Sequence, residues 1–197
     1  MCESDEESRI IIPAEVAIKI VSQTNNIYLR ECPCRVSAGN CPPDTREVCL
    51  LFEGGSENDG FRGRPISRLD AASLVQKMAE SRMIHNLFYR TATGQPLELC
   101  NCCTCCCEPL HDLKEKGDYD QQLRTSYMAF TDELLCTGCG DCLEDCYFEA
   151  RRLIDGSINM VDERCFGCGR CVGACPKKAI HLAVQPGRGL VGALNYG

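Results

Sequence analysis

Two cysteine runs of identical spacing lie 29 residues apart in the second half of the chain, and they constrain its fold more than any other feature. Each run has the pattern C-x2-C-x2-C-x3-C. Leu134 to Ala150 therefore superposes on Glu163 to Ala179, with a shared Gly-Cys-Gly and a closing alanine. A repeated supersecondary unit predicts two halves packed about a pseudo-two-fold axis. The repeated cysteines are Cys136, Cys139, Cys142, Cys146, Cys165, Cys168, Cys171 and Cys175.

This spacing suits iron-sulfur chemistry. Three cysteines with two residues between neighbours allow one loop to wrap three corners of a cubane cluster. The trailing cysteine points toward a second cluster. The glycines between them permit unusual dihedrals and bring amide groups toward the sulfides. The alternative is that the eight thiols bind two zinc ions. Zinc sites usually separate their cysteine pairs by a longer span, so cubane clusters are favoured.

The motifs, with Pro176 after the second run, resemble the bacterial two-cluster ferredoxins over about residues 128–184. The resemblance implies a ferredoxin-like α+β fold, with short strands near residues 129–131 and 158–161 and at the ends of the repeats, and with short helices that carry the trailing cysteines. It also implies two [4Fe-4S] clusters as cofactors, with crossed ligation. One cluster would be held by Cys136, Cys139, Cys142 and Cys175, and the other by Cys165, Cys168, Cys171 and Cys146.

The first repeat departs from this family pattern at two positions that are not cluster ligands. Tyr147 stands where the family has proline. Arg151 stands where the second repeat has Ile180. We expect the strand that carries Arg151 to be partly solvated or to meet a partner.

The N-terminal half has eleven cysteines. Cys2 is isolated in the predicted tail and is expected to be a free thiol, and the other ten form a set of their own, six of them in the stretch "CNCCTCCC". Adjacent cysteines point in different directions, so these six cannot all bind one metal. Some are expected to form a site within the local turn, while others face the earlier group. The ten candidate metal ligands are Cys32, Cys34, Cys41, Cys49, Cys100, Cys102, Cys103, Cys105, Cys106 and Cys107.

This half, from about Ile10 to Leu110, resembles the cysteine-rich segment that precedes the two-cluster domain in little-characterised 4Fe-4S-binding proteins. The shared pattern is C-x-C-R followed later by C-N-C-C-x-C-C. We expect at least one further iron-sulfur cluster here. The alternatives are a zinc site built from four of the thiols, and thiols without metal. Arg35, next to Cys34, either stabilises an anionic cluster or is an ordinary surface residue.

Local patterns predict several elements of the N-terminal half. We expect a strand over residues 9–13, a helix over 14–24 and a strand over 26–31. Ser67 with Asp70 three residues later predicts a helix start, and that helix should run to about Arg82. Its predicted buried side chains are Leu69, Ala72, Val75, Met78 and Ala79.

These elements and a charged, cysteine-free stretch divide the chain into predicted domains. The N-terminal domain is expected to be a Cys-rich α/β domain that binds a metal or cluster, and the C-terminal domain a 2[4Fe-4S] ferredoxin domain. The predicted boundaries are a disordered tail 1–8, the Cys-rich domain 9–110, a linker 111–127, the ferredoxin domain 128–186 and a tail 187–197.

The cysteine content and the net charge favour some classes of protein over others. Nineteen cysteines without a signal-peptide pattern or a long apolar run favour a reducing cytoplasm and metal binding over disulfides, and predict no membrane span. A net charge of -7 argues against nucleic-acid binding and suits docking to a redox partner protein. The sequence thus favours an electron-transfer protein. A redox enzyme component with catalysis at the N-terminal site, and a redox or metal sensor, remain the alternatives.

Overall fold

The computed structural model describes residues 6–41, 45–52, 63–116 and 124–186. Residues 1–5 and 187–197 of the predicted tails, 117–123 of the predicted linker, and residues 42–44 and 53–62 lie outside the described residues. Helices and antiparallel sheets are both present, so the chain is an α+β protein.

A six-stranded antiparallel sheet forms the N-terminal half, in the order β1-β5-β6-β3-β2-β4. β1 begins within the predicted tail, because Glu7 and Ser8 pair with Arg90 and Tyr89 of β5. The strands are β1 (Glu7–Ile12), β2 (Ile27–Glu31), β3 (Glu47–Leu51), β4 (Arg64–Ile66), β5 (Ile84–Arg90) and β6 (Pro96–Cys102).

Two helices, α1 (Ala14–Gln23) and α3 (Arg68–Glu80), pack on one face of this sheet. The predicted start of α3 is confirmed: the backbone N–H of Asp70 donates to Ser67 Oγ at 3.1 Å. The core between the helices and the sheet is aliphatic. It includes Ile10, Ile12, Ala17, Ile20, Val21, Leu29, Leu50, Ala71, Val75, Leu87 and Leu99.

The predicted burial of one α3 residue, Leu69, is wrong. Leu69 is 76% exposed, whereas Ala71 is fully buried. The sheet contacts the face formed by Ala71, Val75 and Met78, which follow the i, i+4, i+7 spacing of one helical stripe. Leu69 lies two residues before that stripe and therefore points to a different side of the helix.

The other face of the sheet carries cysteines as well as apolar residues such as Ile11 and Ile84, which are buried with Leu110 and Phe148. Strand alternation places Cys49, Glu98 and Cys100 on this face, opposite the helices. Arg30 lies there too, and its Nη2 donates to both carboxylate oxygens of Glu98 at 2.7 Å. This face therefore brings thiols from two strands together beside a partly buried ion pair.

The C-terminal half contains two short two-stranded sheets and two single-turn helices. β7 pairs with β10, and β8 pairs with β9, both antiparallel. The elements are β7 (Tyr127–Thr131), α5 (Asp141–Glu144), β8 (Arg151–Ile154), β9 (Ser157–Met160), α6 (Arg170–Ala174) and β10 (Ile180–Val184).

The helix α4 (Glu108–Lys116) joins the two halves through packing. Its Leu110 and Leu113 are buried in one cluster with Phe148 and Phe166 of the C-terminal half. The first part of the predicted linker is therefore a packed helix, because its apolar stripe has aromatic partners. Ion pairs also join the two halves: Lys114 Nζ of α4 lies 3.1 Å from Glu149 Oε1, and Arg82 Nη1 lies 2.8 Å from Asp145 Oδ2.

Candidate metal and cluster sites

The cysteine loops of the two repeats share their backbone conformation. Gly138 and Gly140 have φ of +68° and +89°, and Gly167 and Gly169 have φ of +64° and +80°. Glycine is the residue that adopts this left-handed region without strain. A Cβ on Gly167 would lie 2.3 Å from Tyr127 O, so this loop also packs too closely for a side chain.

Each loop lines a small cavity together with the trailing cysteine of the other repeat. One cavity is lined by Cys165, Cys168 and Cys171 of the second repeat and by Cys146 of the first. The other is lined by Cys136, Cys139, Cys142 and Cys175. Four thiols around one small cavity are the donor set that a cubane cluster requires.

The two trailing cysteines follow the short helices rather than lying on them, which corrects the expectation from the sequence. α5 ends at Glu144 before Cys146, and Cys175 is the residue that caps α6. Each sulfur accepts a hydrogen bond from the backbone N–H four residues later, Ala150 and Ala179, at 3.3 Å in both cases. Such N–H donors stabilise a thiolate and tune the cluster that it binds.

Arg151 itself is buried between the two cavities, whereas the other residues of β8 are exposed, so the strand is partly solvated as expected. Its side chain is 4% exposed and its Nη1 donates to Thr131 Oγ1 at 2.8 Å. Burial disfavours its charge, but Cys171 and Cys142 hold the pKa of the guanidinium above its ordinary value. These two cysteines line different cavities, so one cation lies beside both sites.

Tyr147, the other departure, contacts the N-terminal half. Its hydroxyl donates to Leu110 O at 3.3 Å, and Lys114 Nζ lies 5.0 Å from its ring centroid. A proline at this position would lack both contacts. The aromatic ring therefore replaces a family residue at the place where α4 packs.

The two cavities differ in their access to solvent. In the first loop Cys139 is exposed, and Leu134 and Leu135 beside it are 96% and 51% exposed. In the second loop Cys165 is buried, and Phe166 and Cys168 pack in the same cluster as α4. The first loop thus faces outward, while the second faces the N-terminal half.

Four N-terminal thiols gather into one tight group, made of Cys41, Cys103, Cys105 and Cys106. All four sulfurs lie within 4.8 Å of one another. The Cys41 sulfur is 3.8 Å from that of Cys103, 3.6 Å from that of Cys105 and 3.2 Å from that of Cys106. We call this the four-thiol group.

The other six N-terminal thiols, Cys32, Cys34, Cys49, Cys100, Cys102 and Cys107, form a second, more extended set that we call the six-thiol group. Each interacts with another member. The sulfurs of Cys49 and Cys100 are 3.9 Å apart. A hydrogen bond from Cys49, burial and the charge of Cys49 raise the pKa of the Cys32 thiol. A hydrogen bond and charge from Cys102, together with burial, raise the pKa of the Cys100 thiol. Crowded thiols cannot all ionise unless a cation compensates them. The six-thiol group is compatible with a bound metal or cluster, and its Cys49 and Cys100 lie close enough to Glu98 to share one ion.

Arg35 is not a surface residue. It is 2% exposed and donates to the carbonyl oxygens of Thr45 and Asn101. Burial raises the pKa of the nearby Cys103 thiol, but Cys105 and the Arg35 charge outweigh it and lower that pKa to about 7. Arg35 thus supplies positive charge to the four-thiol group.

Comparison with known proteins identifies part of the chain. Residues 135–180 match the family model described as "4Fe-4S dicluster domain". The second half of the chain contains a 4Fe-4S dicluster domain. Its cofactors are iron-sulfur clusters, and this supports an electron-transfer role.

Two curated relatives each match a quarter to a third of the chain, and both are subunits of larger complexes. A subunit of the ion-translocating oxidoreductase complex of Methanosarcina acetivorans is 40% identical over 50 residues, 25% of this chain. A subunit of the Na(+)-translocating ferredoxin:NAD(+) oxidoreductase complex of Acetobacterium woodii is 36% identical over 62 residues, 31% of this chain. The chain spans 19% of the length of each relative. No solved structure is significantly similar.

Among the described residues, no helix combines the length and apolar character needed to cross a lipid bilayer. The eighteen cysteines in the described part of the chain are all free thiols.

Three functional features were not apparent in the sequence. The ten N-terminal cysteines divide into a group of four and a group of six. Arg151 lies between two cavities. The carboxylate of Glu98 lies close to the sulfurs of Cys49 and Cys100. The available signal was the repeat offset, which marks Arg151 as a charge in a strand position that is apolar in the second repeat.

Proposed function

We propose that the chain is an electron-transfer protein that holds two [4Fe-4S] clusters with crossed ligation. The crossed lining of the two cavities carries this proposal. Cys136, Cys139, Cys142 and Cys175 would bind one cluster, and Cys165, Cys168, Cys171 and Cys146 the other. The bound clusters supply one-electron redox chemistry. The shared loop conformation supports a pseudo-two-fold relation between the repeats, in a domain of about residues 128–186.

The protein supplies the surroundings of these sites. Backbone N–H groups donate to Cys146 and Cys175, and Arg151 places positive charge beside both donor sets. Such donors and charges favour the reduced, more negative state of a cluster. The residues at each site therefore influence where electrons reside.

The exposed first loop is the proposed contact with a redox partner protein. Cys139 is exposed there, beside Leu134 and Leu135 and the exposed acidic residues Glu133 and Asp141. An apolar centre with a charged rim suits transient docking, and the rim would attract a basic partner surface. The similarity to subunits of larger oxidoreductase complexes supports work with such partners. The many free thiols of the described residues suit a reducing compartment such as the cytoplasm.

The six-thiol group is the proposed site of a further iron-sulfur cluster, in the Cys-rich domain of about residues 9–110. Cys102 and Cys107 pack in one hydrophobic core cluster with Phe166 and Cys168 of the second repeat. This packing supports a linear order of redox sites from the exposed first loop, through the second loop, to the N-terminal half. Electrons entering at the surface would thereby reach the six-thiol group.

Metal analysis of anaerobically purified protein tests the proposal. Two cubanes require about eight iron atoms and equal acid-labile sulfide per chain, and a further cubane would raise this to about twelve. Iron near eight would reject the N-terminal cluster and retain the two-cluster carrier. Iron without sulfide would reject both.

Crossed ligation has its own test. We expect Cys175→Ser to perturb the same electron paramagnetic resonance signal as Cys136→Ser, and Cys146→Ser the same signal as Cys165→Ser. If Cys175→Ser instead resembled Cys165→Ser, each repeat would bind its own cluster and the crossed assignment would be wrong.

A further inference from the structure

The four-thiol group has dimensions that match a single metal ion. In a tetrahedral site with metal–sulfur bonds of about 2.3 Å, the sulfurs lie about 3.8 Å apart. The measured distances from the Cys41 sulfur are 3.2, 3.6 and 3.8 Å, and the sulfurs of Cys105 and Cys106 are 3.5 Å apart. These sulfurs are already as close as the ligands of one ion.

The sulfur–sulfur distances also distinguish the four-thiol group from the dicluster sites. Four cysteines around a cubane bind four different iron atoms, so their sulfurs are farther apart than around one ion. Among the described residues, the eight cysteines of the two repeats form no comparably tight group. The contrast within one molecule shows that the four-thiol group is not a smaller copy of the cluster sites.

Two separate segments build the group and fix its geometry. Cys41 comes from the chain that follows α2 (Pro33–Ala38), and the other three come from the turn between β6 and α4. His111 Nε2 donates to Thr104 O at 2.9 Å, and Cys107 N donates to Cys103 O at 3.3 Å. The turn that presents three sulfurs is therefore held by a hydrogen bond within it and by one from His111 of α4.

Charge and burial also suit a bound ion. Cys41, Cys103 and Cys106 are each at most 8% exposed, while Cys105 is exposed. Four thiolates around one divalent ion leave a net charge of about -2, and buried Arg35 lies beside the group to offset part of it. Exposed Cys105 provides access for the ion.

We propose that Cys41, Cys103, Cys105 and Cys106 bind one Zn²⁺ ion as a structural site. Full ligation by four protein sulfurs leaves no position for a substrate, which is typical of structural zinc. The ion ties the chain after α2 to the cysteine-rich turn. It thereby holds the neighbouring Cys102 and Cys107 in place without taking part in electron transfer.

Zinc and iron analysis of matched variants tests the site. Purified wild-type protein should contain about one zinc per chain. Cys105→Ser should lose most of this zinc and keep the iron of the two dicluster sites, whereas Cys139→Ser, a change of another exposed cysteine, should keep the zinc and lose dicluster iron. Loss of iron and retention of zinc in Cys105→Ser would overturn the proposal, as would zinc-free wild-type protein.

Cobalt substitution gives a readout that does not depend on how well a variant folds. Wild-type protein grown with Co²⁺ and little zinc should show the ligand-field spectrum of a tetrahedral four-sulfur site, seen as a difference from zinc-loaded protein. Cobalt bound with an octahedral or oxygen-rich spectrum would overturn the assignment. Either result leaves the iron count, and hence the electron-transfer proposal, to be judged separately.

Discussion

At the scale of single residues, Arg151 is the position where one side chain affects two sites. Reduction adds negative charge to a cluster, and a buried cation beside it stabilises the reduced state. Arg151→Ile, which copies Ile180 of the second repeat, should lower both reduction potentials by on the order of tens of millivolts. Potentiometric titration measures this. The exposed neighbour gives the control, since Arg152→Ile should change the potentials much less; equal shifts would mean that burial of Arg151 is irrelevant.

His85 predicts a pH effect on stability. Burial lowers its pKa to about 4, although a hydrogen bond with Asn101 opposes this, and its Nε2 has no hydrogen-bond partner in the described part of the chain. The unfolded chain, with a pKa near 6.5, binds the proton first as the pH falls. The stabilising contribution of neutral His85 is therefore full above about pH 6.5 and is lost toward pH 4.

Between pH 7 and pH 5 this loss should amount to about 2 kcal/mol. Urea unfolding of wild type and His85→Gln at both pH values measures it, since effects of acid on the clusters are common to the two proteins. The variant should lose less stability than wild type over this interval. Parallel pH profiles would show that His85 does not titrate as its burial indicates.

At the scale of elements, the second cysteine loop tolerates no side chain at Gly167. An alanine there would have both the left-handed backbone, which costs roughly 1–2 kcal/mol, and a clash with Tyr127 O. Gly138→Ala has a similar φ, but its nearest atom, Gly156 O, is 3.5 Å away. Gly167→Ala should therefore lose about half of the dicluster iron, while Gly138→Ala keeps most of it. Iron analysis and visible absorbance decide, and equal retention would refute the steric argument.

Sequence reasoning succeeds for elements whose signals are local and fails where partners are distant in the chain. The start of α3 could be predicted because Ser67 and Asp70 are three residues apart. The exposure of Leu69 could not, because the buried stripe is set by the sheet that α3 meets. Likewise, Cys41 joins Cys103 only through the folding of α2 and β6, and no spacing in the sequence encodes that contact.

At the scale of the whole molecule, α4 and the second repeat make the two halves a single structural unit. Leu110 is 1% exposed in a cluster shared with Phe148 and Phe166, and Leu134 is 96% exposed. Leu110→Ala should cost about 2–4 kcal/mol of stability, because it leaves a cavity where the halves meet. Leu134→Ala should change stability by less than about 0.5 kcal/mol.

The readout also distinguishes one cooperative unit from two. Far-ultraviolet circular dichroism reports the N-terminal sheet and visible absorbance reports the clusters, and both should shift to lower urea together in Leu110→Ala. The same variant should slow electron exchange between the dicluster domain and the N-terminal half, because Cys107 and Cys168 belong to the hydrophobic core cluster that the substitution disturbs. If the two signals separated, the halves would fold independently, and the proposed order of redox sites would lose the packing on which it depends.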